Sequence, residues 1–319
     1  MSLTPITRAR AAALLTSGVA FWASATRAQT EANAMIRIAV LPFESDAEAF
    51  YAKDMGFFAT AGLNAQIEMQ EISSAVAAAI ASNAVDVGYI TVDTIANIHQ
   101  KKIPLVVIAP AAEFVSPTTT GLAALMVSID SPIQRPQDLN GKIVAVAALH
   151  SIGETAVRAL IDANGGDSST VRFVEVPTQA TAAALEAGRV DAAHVSEPFI
   201  GFARKTGRIL AYDYEAIAKR FLLGGWCTTL QWAQSNPELV SRFAGVIRKT
   251  ALWANENPVK SGAILAQYTK VDQALISTMT RVRYAEQLTP AVMQPLIDVS
   301  AKYNGFASFP ARDLIFVPQ

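Results

Sequence analysis

The sequence predicts an α/β protein of two similar lobes, each a mainly parallel sheet flanked by helices, with a ligand cleft between them. Three observations carry this prediction. Short β-like runs alternate with Ala-rich helical windows from Met35 onward, the order that produces βαβ crossovers and a parallel sheet covered on both faces. That order is written twice. A chain of 319 residues, 51% of them hydrophobic, is also too long for one small core and suits two.

The first copy runs IRIAVLP (36–42), DAEAFYAKDMGFFATAGL (46–63), NAQIEMQ (64–70), SAVAAAIASN (74–83) and VDVGYI (85–90). The second runs KIVAVAAL (142–149), GETAVRALIDANGG (153–166), TVRFVEV (170–176), ATAAALEAGR (180–189) and VDAAHV (190–195). Ser45 aligns with Ser151 at an offset of 106, and Asp86 with Asp191 at an offset of 105. Each copy opens its first helix with Ser-x-x-Glu, Ser45 to Glu48 and Ser151 to Glu154. This is the capping-box pattern, in which the serine hydroxyl takes a free N–H at the third helical position and the glutamate reaches back to the serine N–H.

The segment SIDSPIQRPQDLNG (128–141) holds two prolines and a closing Gly, so it cannot continue a helix and marks a change of lobe. The second lobe is expected over 128–222 and the first over 35–127 plus 223–319. After about Tyr214 the repeat stops, and NPELVSRFAGVIRKTALWANENP (236–258) reads as one long helix. The tail is expected to pack back on the first lobe.

Residues 1–28 read as a secretory signal. Arg8 and Arg10 precede an apolar stretch from Ala11 to Ala23, and the small residues needed for cleavage follow at Ala23-Ser24-Ala25 or Thr26-Arg27-Ala28. Losing Arg8, Arg10 and Arg27 takes the formal charge from −1 to −4. No other stretch approaches the roughly 18 continuous apolar residues of a membrane span, so the expected mature protein is exported and soluble. The charge balance and the lack of a basic cluster argue against a nucleic-acid partner.

A catalytic centre is hard to assemble from these residues. The phosphate-binding, dinucleotide-binding, nucleophile-elbow and H-E-x-x-H patterns are missing. His99, His150 and His194 lie far apart, none with a second His or a Cys at i+3 or i+4, so no metal and no cofactor is expected. Cys227 is the only cysteine and reads as a small buried residue.

Binding fits better, because ligands of open α/β sheets sit beyond the carboxyl ends of the strands, where helix N-termini converge. The loops there are Phe43-Glu44-Ser45, Thr91-Val92-Asp93, His150-Ser151 and Ser196-Glu197-Pro198. Helix starts at Ser45 and Ser151 would favour an anionic group by about 0.3–1 kcal/mol, and up to about 2 when partly buried. Glu44 and Glu197 would take an amino group at the ligand's other end, and Phe43 or Trp226 an apolar wall. The candidate contacts are Phe43, Glu44, Ser45, Thr91, Asp93, Glu113, His150, Ser151, Glu197 and Trp226.

With these features the chain resembles the solute-binding proteins of nitrate/sulfonate/taurine-type ABC importers. The resemblance is carried by AKDMGFFATAGL (52–63), DSPIQRPQDLNGKIVAV (130–146) and GRVDAAHVSEPF (188–199), and with 224–237 it extends over most of the chain after residue 35. It implies a type II periplasmic-binding-protein-like fold whose closed form, as a monomer in the periplasm, delivers an anionic or zwitterionic solute to a membrane permease and its ATPase. It also implies that Ser151 and Glu197 face the cleft. Ser196 stands where an aromatic residue commonly precedes that glutamate. Two alternatives stay open: the same scaffold binding a pyrimidine or thiamine precursor or an aromatic carboxylate, and a related enzyme such as a sulfinate desulfinase, which would need a cysteine in a cleft loop.

Overall fold

The computed structural model describes residues 34–317; the expected signal over 1–28 lies outside them. Among the described residues thirteen strands follow one another as β1 (Ala34–Val40), β2 (Leu63–Met69), β3 (Val87–Thr91), β4 (Leu105–Pro110), β5 (Ala112–Val115), β6 (Ala123–Ser128), β7 (Ile143–Val146), β8 (Arg172–Glu175), β9 (Ala192–Ser196), β10 (Gly207–Ala211), β11 (Arg220–Leu222), β12 (Gly224–Thr229) and β13 (Arg283–Tyr284). They form two five-stranded sheets, ordered β2-β1-β3-β12-β4 and β8-β7-β9-β6-β10, and a small sheet β11-β5-β13.

The internal repeat is real down to individual bonds. Arg37 stands opposite Gln66 and Ile143 opposite Arg172, so β1–β2 and β7–β8 share one parallel register. Asp86 Oδ2 accepts the Arg37 N–H at 2.8 Å, and Asp191 Oδ2 accepts the Ile143 N–H at 2.8 Å. The two aspartates that align in sequence thus pin the same corner of each sheet, where a strand would otherwise leave an N–H unpaired.

Each sheet also contains one antiparallel strand, and in the first sheet it arrives only after the whole second sheet has been traced. In the first it is β12, between β3 and β4; in the second it is β6, between β9 and β10. Here the sequence reading needs correction. The expected boundary left 123–127 in the first lobe, yet β6 already belongs to the second sheet. A run of alternately placed apolar residues does not say which sheet it joins, and the proline-rich segment 128–141 lies inside the second lobe rather than at its start. The chain passes between lobes through β5 and β11, which pair antiparallel in the small sheet.

Helix windows fell largely where expected, with breaks explained by backbone chemistry. The window 46–63 splits into Glu48–Asp54 and Phe57–Thr60, because Gly56 takes a left-handed turn with φ 68°, which glycine adopts without steric cost. The long helix Pro237–Glu256 starts on proline, and its buried stripe Val240, Phe243, Val246, Ile247, Thr250, Ala251 and Ala254 faces the first sheet, the 3.6-residue period of an amphipathic helix. In the second sheet β6 sends Ala124 and Met126 into one core and Leu125 and Val127 into the other, the period of two expected for a strand covered on both faces. The tail does return to the first lobe: helix Pro290–Asn304 buries Met293, Leu296 and Ile297 in the first core, and Ile315 bridges to Val107 on β4. Among the described residues no helix is long and apolar enough to cross a membrane.

Candidate functional site

A cleft of about 920 Å³ opens between the two lobes at the carboxyl ends of the strands. Phe43, Glu44, Ser45, Thr91, His150, Ser151 and Glu197, seven of the expected contacts, line it. Tyr89, Ile152, His194, Ser196 and Tyr214 join them, and Ile72, Ile103, Leu149 and Phe306 add apolar lining.

The second-lobe jaw is a true helix N-terminus. Ser151 is the N-cap of Ile152–Ala163 in an extended conformation, but its hydroxyl makes no cap bond. Glu154 does reach back, one residue further than a capping box, and accepts the His150 N–H at 2.8 Å while pairing with Arg158 at 2.7 Å. The N–H groups of Ser151, Gly153 and Glu154 therefore have no protein acceptor among the described residues, and the positive helix end is left for a ligand. His150 supplies the bend by adopting φ 57°, an uncommon conformation for a side chain larger than glycine. Its Nδ1 lies 3.4 Å from Asn304 Oδ1 at the end of the first-lobe tail helix.

The first-lobe jaw differs. Residues Glu44–Asp46 form a single 3₁₀ turn, and the following helix is capped at Ala47 with no side-chain bond. Glu48, expected to close a capping box, turns into the core instead, where its Oε2 accepts the Trp226 indole N–H at 2.9 Å. Ser45 lies beside the Tyr89 hydroxyl.

The acidic end is only partly free. Glu44 is ion-paired with Arg281 and accepts the Val282 N–H at 3.2 Å. Burial raises its carboxyl to about 6, against the pull of Arg281, with Glu197 adding a smaller upward push. Glu197 accepts the Thr280 N–H at 3.3 Å through Oε1, while its buried Oε2 has no partner among the described residues. Burial raises this carboxyl too. An unpaired buried carboxylate oxygen is costly unless something donates to it, so Glu197 is the freer of the two acids for an amino group.

A family model described as "NMT1/THI5 like" matches residues 46–261. The chain belongs to this NMT1/THI5-like family. Over 168 residues it is 27% identical to the taurine-binding periplasmic protein of Escherichia coli (strain K12), a match that covers 52% of this chain and only half, 50%, of that relative's length. The periplasmic aliphatic sulphonate binding protein SsuA of Escherichia coli superposes with a TM-score of 0.72 over 89% of this chain and 92% of that one, at 15% identity. The alkanesulfonate-binding SsuA of Xanthomonas axonopodis pv. citri, bound to MOPS, gives 0.68 over 89% and 95%, also at 15% identity. These likenesses establish the fold, a two-lobed periplasmic-binding-protein fold.

In this NMT1/THI5-like chain three expected contacts lie away from the cleft wall. Trp226 is wholly buried on β12, edge-on to Tyr89 at 6.3 Å and to Phe243 at 5.6 Å. The strand carrying it is central in the sheet, so its ring packs under the long helix rather than over the ligand. Glu113 is buried on β5, where its carboxylate takes Arg220 Nε at 2.8 Å from β11 and Arg283 Nε at 3.2 Å from β13. It fastens the strands that join the lobes. Asp93 is buried behind the wall, close to the first-turn N–H groups of its own helix Val92–Gln100 and to the Ile152 N–H of the opposing lobe. Neither oxygen makes a hydrogen bond of ordinary geometry. Burial raises its carboxyl to about 6, and the Thr91 hydroxyl is the largest opposing influence.

Sequence reasoning missed His194, Tyr214, Arg281 and Val282. The first lies on a strand whose motif marked only Glu197, and the last two come from a loop more than 230 residues away from Glu44, with no local signal. Among the described residues no three His, Cys, Asp or Glu side chains are grouped to hold a metal ion.

Proposed function

We propose that this protein is the extracytoplasmic solute-binding component of an ABC importer, working in the periplasm after export and delivering its cargo to a membrane permease and its ATPase. It captures a small anionic or zwitterionic organic solute between its lobes. The observation that carries this reading is the cleft itself, with a free helix N-terminus on one lobe, an unsatisfied carboxylate oxygen at Glu197, and apolar side chains in its lining. Such an arrangement suits a solute with an acidic group, a nitrogen-bearing end and an apolar body. The names of its relatives, for taurine, aliphatic sulphonates and alkanesulfonates, support the class.

The role is binding rather than catalysis. A desulfinase-like reading needs a reactive thiol in a cleft loop, but Cys227 is buried on β12, donates to the Gly225 carbonyl, and burial pushes its thiol far up, the environment of an inert structural cysteine. Ligand bridging both lobes favours the closed state because only that state makes every contact.

A thermal-shift screen over alkanesulfonates and taurine, nitrate or bicarbonate, aromatic carboxylates, and amino-pyrimidines tests the proposal. A solute at 100 times its dissociation constant adds about 2.7 kcal/mol to stability. No shift with any class would sink it.

A further inference from the structure

His194 is unusual among the residues of the cleft. It stands on β9 with a side chain only 7% exposed, and its Nδ1 lies 2.6 Å from Oδ2 of Asp213, which is fully buried. Asp213 Oδ1 has no other partner among the described residues. A carboxylate held in the interior by one bond is costly unless a cation balances it, and the imidazole is the group that touches it. The opposite edge of the ring points elsewhere. A Cβ added to Gly153 would sit 2.6 Å from His194 Cδ2 and 3.0 Å from Nε2, so the ring presses against the first turn of Ile152–Ala163, at the place where the chain has no side chain. Nε2 has no hydrogen-bond partner in the protein among the described residues, and His194 and Gly153 both line the cleft. Tyr214 covers the ring at 5.8 Å between centroids, and Asp93 lies beyond Tyr214, facing the Ile152 N–H.

We propose that His194, oriented by Asp213 and seated against Gly153, is a ligand-contacting residue whose Nε2–H donates to the anionic oxygen of the solute, beside the free N–H groups of Ser151, Gly153 and Glu154. This rests on the reading of the cleft as the site of an anionic or zwitterionic solute. The chemistry is that of a carboxylate or sulfonate group, since its oxygens accept in several directions at once and match a helix terminus and an imidazolium meeting at one point. With an anion in place Nε2 must carry its proton, because a bare lone pair would face a negative oxygen. Asp213 then balances the charge on the ring. Asp213 is a positioning residue, accepting from Nδ1–H and fixing the plane of the ring.

The test uses taurine, MOPS and nitrate as probes on the full chain. The sequence holds three histidines, so the ring nitrogens of a ¹⁵N-labelled sample are individually assignable. On saturation with a binding probe the His194 Nε2 resonance is expected at the protonated position, with a coupling to bound probe, while His99 is unmoved. In parallel, calorimetry on His194→Gln, which can still donate to Asp213, is expected to show affinity lower by about 10- to 100-fold with melting temperature held within a degree or two. Asp213→Asn is expected to lower affinity less and to alter the His194 ring-nitrogen shifts before any probe is added. A probe that binds wild type and His194→Gln equally, with an unmoved His194 signal, overturns the proposal and leaves the solute-binding reading intact. Failure of all three probes to bind wild type overturns the His194 assignment, and the solute-binding reading falls with it only if the thermal-shift screen is blank for every class.

Discussion

At the scale of single residues, the repeated serines show how one sequence pattern can serve two ends. Ser151 caps by backbone conformation alone, so Ser151→Ala is expected to leave the stability of the empty protein within about 0.5 kcal/mol of wild type while weakening solute binding. Urea unfolding and calorimetry on the same variant read the two effects separately, and a stability loss of about 1 kcal/mol with unchanged affinity would make the serine an ordinary cap. Glu48 and Trp226 behave in the opposite way. Their bond is buried, so Trp226→Phe strands the Glu48 carboxyl and is expected to cost about 1–3 kcal/mol without touching the cleft, a loss that urea unfolding would register. Pattern reading could place Ser151, Thr91 and Glu197 at strand ends because the repeat and the strand period fix those positions locally. It could not see that Glu48 turns inward or that Trp226 lies beneath the long helix. Those outcomes are decided by β12, which arrives from about 140 residues away to pair with β3.

Among the elements, the tail helix Pro290–Asn304 matters beyond its place in the first core. Its last turn reaches across the cleft rim to helix Ile152–Ala163: the Tyr303 hydroxyl donates to Asp162 Oδ2 at 2.8 Å, and Lys302 Nζ approaches the same oxygen at 3.4 Å. The Ser168 N–H, the Tyr303 hydroxyl and Lys302 hold the Asp162 carboxyl below its ordinary range, outweighing its partial burial. These bonds join the two lobes, so an opening that separates the lobes has to break them. Exposed pairs of this kind contribute little individually. Tyr303→Phe is accordingly expected to raise the dissociation rate of bound solute about two- to fivefold, with a larger average radius for the empty protein in small-angle scattering. An unchanged radius and rate would show that the strands of the small sheet alone set the angle. The helix was legible as a periodic apolar stripe, and the contacts of its tip were not. They depend on how the two lobes meet, and no spacing within one helix encodes that.

For the whole molecule, acids buried in the cleft wall and behind it set how stability depends on pH. Burial raises Asp93 from 3.8 and Glu44 from 4.5 to about 6 each, and it raises Asp46 and Glu48 as well. A raised carboxyl pKa means the folded state keeps a proton that the unfolded chain has already released, so stability falls as pH rises between the two values. Asp138, Asp162 and Glu215 are shifted downward, and their contribution is lost only as pH falls below the ordinary carboxylate range. The melting temperature is therefore expected to drop as pH is raised from about 4 to about 6, the window between the unfolded and folded values of Asp93 and Glu44. Asp93→Asn, neutral at every pH, is expected to flatten that slope and to melt higher than wild type at pH 7. Because Asp93 of one lobe faces the Ile152 N–H of the other, the same substitution bears on closure. The ionised carboxylate is better accommodated in an open, solvated cleft than in a closed one, so lowering pH toward 5 is expected to favour the closed form of the empty protein. Scattering curves across that range measure the shift. A wild-type melting temperature that stayed level from pH 4 to 6, or an Asp93→Asn variant with the wild-type slope, would mean that burial does not hold these carboxyls above their unfolded values.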